Sequence, residues 1–69
     1  MQFVVKVKNI KTGKTTSLTR FKTYAEAYEF YLFLNKTTFF EPCCVRLMTS
    51  EYRVISTFDS VSPDELNNF

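Results

Sequence analysis

Gln2-Phe3-Val4-Val5-Lys6-Val7-Lys8-Asn9-Ile10-Lys11-Thr12-Gly13-Lys14-Thr15-Thr16-Ser17-Leu18-Thr19-Arg20-Phe21-Lys22 is the stretch whose reading decides the fold. From Gln2 to Ile10, Phe3, Val5 and Val7 fall on one side and Val4, Lys6 and Lys8 on the other. A period of two with β-branched residues is the pattern of a half-buried strand. Lys11-Thr12-Gly13-Lys14 supplies a turn, since Gly13 takes a positive φ without steric cost. Thr15 to Phe21 then returns as a second strand. Its inward set is either Thr16, Leu18 and Arg20 or Ser17, Thr19 and Phe21, and such weak alternation suits a sheet edge. The stretch carries Lys6, Lys8, Lys11, Lys14, Arg20 and Lys22 and no acid. A ribbon of one charge sign is a docking surface for something negative, or a solvated face that resists aggregation.

Working outward, Thr23-Tyr24-Ala25-Glu26 has the spacing of a capping box, with the Thr23 hydroxyl expected to accept from a backbone N–H of the first turn and Glu26 to reach back to the N–H of Thr23. The helix is predicted from Tyr24 to about Lys36. Tyr24, Ala27, Phe30, Tyr31 and Leu34 gather on one face at 100° per residue, flanked by Tyr28 and Leu32. Phe33 falls opposite, between Glu26 and Glu29, where a polar residue belongs. It reads as an interface anchor or as a stray surface apolar residue. Phe39 and Phe40 occupy the connection before Pro42, either as an exposed aromatic loop or with one of them closing the core. Cys43–Thr49 and Tyr52–Phe58 form a second hairpin around Ser50-Glu51. Val45 and Leu47 point inward, with Arg46 outward. Ser62-Pro63-Asp64-Glu65 repeats the capping pattern and predicts a short helical turn to about Asn68.

The expected fold is therefore α+β in the order β-β-α-β-β: a four-stranded antiparallel sheet, one helix packed on one face, and a short C-terminal helical turn. It forms a single small domain over 1–69. The other sheet face should present Lys6, Lys8, Arg46 and Arg53. Folding is expected to rest on aromatic packing, with eight Phe and four Tyr against one Gly, because a chain of 69 residues has little interior to fill.

Composition narrows the function. The chain has no His, so the commonest general base and His-based metal sites are absent. The adjacent pair Cys43-Cys44 cannot supply a four-ligand zinc site, and strand neighbours point to opposite faces. Two reduced thiols in a reducing compartment are expected. Gly13 alone cannot build a phosphate-gripping loop, and the carboxylates are scattered. No enzyme activity and no cofactor are expected. No apolar run reaches the roughly 18–20 residues of a membrane span, so a cytoplasmic protein without membrane partners is expected. The net charge of +2 is split: residues 1–36 hold seven basic and two acidic groups, giving +5, and 37–69 hold two basic and five acidic groups, giving −3.

The layout, with Phe21-Lys22-Thr23-Tyr24-Ala25-Glu26-Ala27 leading from a hairpin into a capped helix, resembles small proteins encoded by bacteriophages and other mobile elements. Members of that class commonly act as stoichiometric inhibitors or redirectors of host machinery, anti-CRISPR and other anti-defence proteins among them. The resemblance lies in the architecture, and no functional residue is carried over from it. It implies a non-enzymatic protein that docks on a host protein, such as a defence or nucleic-acid-processing protein. The contact residues expected from the sequence are Lys6, Lys8, Lys11, Lys14, Arg20, Lys22 and Phe33. Two alternatives stand beside this reading. One is direct binding of nucleic acid through the basic hairpin, with aromatic rings nearby for stacking. The other is a homodimer or larger homo-oligomer built through a strand edge or Phe33.

Overall fold

The computed structural model describes residues 2–37 and 39–60. β1 (Phe3–Asn9), β2 (Thr15–Phe21), α1 (Tyr24–Asn35), β3 (Cys43–Thr49) and β4 (Val54–Ser60) follow in the expected α+β order. The strands form one antiparallel sheet in the order β2-β1-β3-β4. The expected C-terminal turn over residues 62–68 lies outside the described residues.

Side-chain chemistry explains this order. β1 and β3 are apolar along the helix side (Val5, Val7, Val45, Leu47) and at one end of the other face (Val4, Met48), all of them buried, and such strands belong in the middle. β2 and β4 are rich in Ser and Thr and take the edges. Helix α1 crosses one face, burying Ala27, Tyr31 and Leu34 on Val5, Val7, Val45 and Leu47. Phe3, Phe21, Phe30, Phe39 and Phe58 seal the rim. The pairing of Phe3 with Phe21 selects Ser17, Thr19 and Phe21 as the helix-side set of β2. Tyr31 packs edge-on to Phe58, and its hydroxyl meets the Ser56 hydroxyl at 2.9 Å, which satisfies the polar end of a buried ring.

Several local expectations shift. The first turn spans Ile10–Gly13, one residue earlier than the turn chemistry suggests, because the Asn9 side-chain oxygen accepts from the N–H groups of Lys11 (2.9 Å) and Thr12 (3.2 Å). Asn9 is buried, and its amide nitrogen donates to the Glu41 carboxylate. Gly13 holds φ 73° as expected. At the helix start, the Thr23 hydroxyl accepts from the Glu26 N–H (3.2 Å). The reciprocal half of the box is replaced by a bond from that hydroxyl to the Glu26 carboxylate (3.0 Å).

The second turn is longer than Ser50-Glu51. Tyr52 N–H donates to the Thr49 carbonyl and Thr49 N–H to the Arg53 carbonyl, both at 2.9 Å. The return strand consequently begins at Val54 rather than Tyr52. Arg53 belongs to this turn and not to the open sheet face.

Candidate functional site: the open face of the sheet

The face away from α1 is built by alternation. Val4, Lys6 and Lys8 of β1 lie beside Met48, Arg46 and Cys44 of β3. Outside them, Arg20 and Leu18 of β2 stand opposite Val4 and Lys6, while Thr57 and Asp59 of β4 stand opposite Arg46 and Cys44. Across the middle of the sheet one row therefore reads Leu18, Lys6, Arg46, Thr57. Val4 and Met48, at 1% and 4% exposure, form an apolar patch at one end of the face. Burial there was not foreseen from β1 alone, because only the register with β3 reveals that Met48 sits beside Val4.

Lys6 and Arg46 are directly opposite each other on adjacent strands, and both are half-buried. Neighbouring strands are about 4.8 Å apart and alternate residues about 6.7 Å apart along a strand, so Lys8 and Arg20 fall within roughly 8 Å of Lys6. Like charges directly opposite each other destabilise an antiparallel pair, whereas opposite charges there are worth roughly 0.2–1 kcal/mol. No described carboxylate pairs with any of the four cations. Asp59 is the one described acid on this face, beyond Cys44 at its β4 corner.

The remaining predicted contact residues lie elsewhere. Lys11 and Lys14 are exposed at the tip of the first hairpin, and Lys22 is exposed at its opposite end, between β2 and α1. Phe33 is 62% exposed on the helix, its ring stacked on Phe30 at 6.4 Å. The helix occupies the other side of the sheet, so Phe33 and the cationic face cannot meet one flat partner surface together. Phe40 is almost fully exposed (97%), while Phe39 packs against the core.

None of the described aromatic rings sits on the open face. They pack between sheet and helix, along α1, or in the connections at Phe40 and Tyr52. The expectation that rings would stand beside the basic strip is therefore not met on that face.

The cysteines split as alternation requires. Cys43 is buried in the core and donates to the Glu41 carbonyl at 3.3 Å. Burial first, and the Glu41 carboxylate second, raise its thiol above its ordinary pKa and hold it in the protonated, unreactive form. Cys44 lies on the open face with its sulfur 3.7 Å from the Thr57 hydroxyl. Among the described residues there is no enclosed pocket, no cluster of three or more metal-ligating side chains, and no helix long and apolar enough to cross a membrane. Compared with known proteins, the chain matches no family model, no curated protein and no solved structure.

Proposed function

We propose that this is a non-enzymatic binding protein that docks, through the open face of its sheet, on an acidic patch of another protein. The observation that carries this reading is the pair Lys6–Arg46 at the centre of the sheet, which no described carboxylate neutralises, with Arg20 and Lys8 beside it. Cross-strand positions in mid-sheet ordinarily hold apolar or oppositely charged pairs, because those stabilise the fold. Cations held there against their mutual repulsion gain most when a partner brings carboxylates to them, and the exposed apolar neighbour Leu18 adds contact area.

Direct nucleic-acid binding fits the same charge less well. Single strands are gripped by cationic grooves that also offer rings for base stacking, and none of the described rings stands on this face. A stoichiometric inhibitor or redirector of a host protein, the role implied by the resemblance to mobile-element proteins, is compatible with this reading. The complementary surface on such a host protein would be acidic, rather than the basic groove with which a host protein holds nucleic acid.

The test is capture of a protein partner from a bacterial lysate by the wild type and by Lys6→Glu and Arg20→Glu, each with and without nuclease. The expected partner is retained after nuclease, released by salt, acidic at its contact surface, and lost with both charge reversals. Retention that is unchanged by the reversals, or abolished by nuclease, contradicts the proposal.

A further inference from the structure

We infer that the outer edge of β4 pairs antiparallel with β4 of a second copy, joining two sheets into one of eight strands. The hydrogen bonds around β3 fix which backbone groups are available. Ile10 N–H donates to the Pro42 carbonyl (3.0 Å) and Ser50 N–H to the Gln2 carbonyl (2.9 Å). Even-numbered positions of β3 therefore bond to β1. Odd-numbered ones bond to β4, as Thr49 N–H does to the Arg53 carbonyl. Through the β3–β4 register, Ser56, Phe58 and Ser60 spend their backbone groups on β3. The N–H and C=O groups of Thr57 and Asp59 then face outward, and no described strand lies beyond them.

The two edges of the sheet are built differently. β2 carries a register shift opposite Val7/Lys8 and is decorated by Lys14, Arg20 and Lys22, the devices that discourage strand addition. From Val54 to Ser60, β4 has no Lys, Arg or Pro and one acid. Val54 and Ile55 are 53% and 42% exposed at its start, and its register shift lies at that end, leaving Ser56–Ser60 regular.

A second copy is the occupant these features select. The strand order sets β4 at the far side of the sheet from the cationic β2 edge, so two copies meeting at β4 keep their basic hairpins at opposite ends of the joined sheet. A two-fold axis at Thr57 pairs Thr57 with Thr57, sets each Phe58 against the small Ser56 of the other copy, and faces Asp59 with Ile55. The two Asp59 side chains are then four residues out of register and do not oppose each other. A β4–β4 contact is isologous, and because the β2 edge carries the bulge and the cations that discourage strand addition, it closes at two rather than growing a fibre. The same axis puts both helices on one side and both cationic faces on the other.

The test uses sedimentation and amide hydrogen exchange of the full chain across a range of concentrations. The wild type is expected to be a dimer, with the Thr57 and Asp59 amides slowed about tenfold or more as concentration rises. Phe58, bonded to β3, should be protected throughout. Ile55→Lys should give a folded monomer. So should Thr57→Pro, which removes an outward N–H but also the Thr57 hydroxyl bond to the Val45 carbonyl (3.1 Å); circular dichroism checks that each variant is folded. A wild type that stays monomeric with freely exchanging Thr57 and Asp59 amides overturns the inference. So does a dimer that survives in both folded variants, including one built through Phe33, and so does a monomer whose β4 pairs only with an added extended peptide.

Discussion

Tyr52 holds φ 65° in the β3–β4 turn and is 55% exposed. This is the left-handed region, where a side chain costs roughly 1–2 kcal/mol and Gly sits without penalty. The hydrogen-bonding pattern of the turn demands that conformation at this position whichever residue occupies it. Tyr52→Gly should therefore stabilise the protein by about 1 kcal/mol and raise Tm by roughly 4–8 °C, the scale for a domain of this size. A lower Tm on thermal denaturation would show that the ring makes contacts worth more than the strain. The two cysteines offer a second check. In the native protein a thiol reagent should modify Cys44 readily and Cys43 only on unfolding; rapid modification of both would contradict the burial of Cys43. Because the Cys43 thiol holds its proton more tightly when folded, its contribution to stability is fully present below the pKa of the unfolded thiol. It is lost as pH rises through the higher native value.

At the scale of elements, α1 and the two hairpins were legible because their signals are periodic: Ala27, Tyr31 and Leu34 at helical spacing, Phe3, Val5 and Val7 at strand spacing. The turns were less so. Asn9 reads as one more polar residue at a strand end, yet its side chain caps the first turn. Tyr52 gives no hint of a left-handed conformation, so the second turn looked two residues shorter than it is. The inward set of β2 became decidable only once Phe21 was paired with Phe3. Within α1, the outward Phe33 and the inward Tyr31 should behave oppositely. Phe33→Ala removes a ring that is mostly in water and should change stability by about 0.5 kcal/mol or less, as surface substitutions do. Tyr31→Ala empties the core and removes the bond to Ser56, a loss of roughly 3–5 kcal/mol. Chemical denaturation of the two variants compares them directly, and a large loss from Phe33→Ala would mean that its ring is part of the core.

For the whole molecule, the sheet order turns a linear charge asymmetry into a spatial one. The basic hairpin occupies one side of the sheet and the β4 edge, with one acid and no base, the other. The basic strip was evident in the sequence, and so was the outward placing of Lys6 and Lys8; the side taken by Arg20 was not. Alternation sends Lys6, Lys8 and Arg20 to the open face, while Lys11 and Lys14 stay at the tip and Lys22 beyond the end of β2. Arg46 joins the face from a residue far away in the chain, and no local pattern could reveal that it lands opposite Lys6. That juxtaposition is the basis of the proposed function: a pair of cations kept at the middle of the sheet although it weakens the fold.

The most direct test is the unfolding free energy of Lys6→Glu relative to the wild type at low ionic strength. The substitution turns a repulsive cross-strand pair into an attractive one, so stability should rise by about 0.5–1 kcal/mol, with the gain shrinking as salt is added. An unchanged or lower stability would mean that Lys6 and Arg46 do not repel each other across the sheet, and the argument for a carboxylate-bearing partner would lose its foundation.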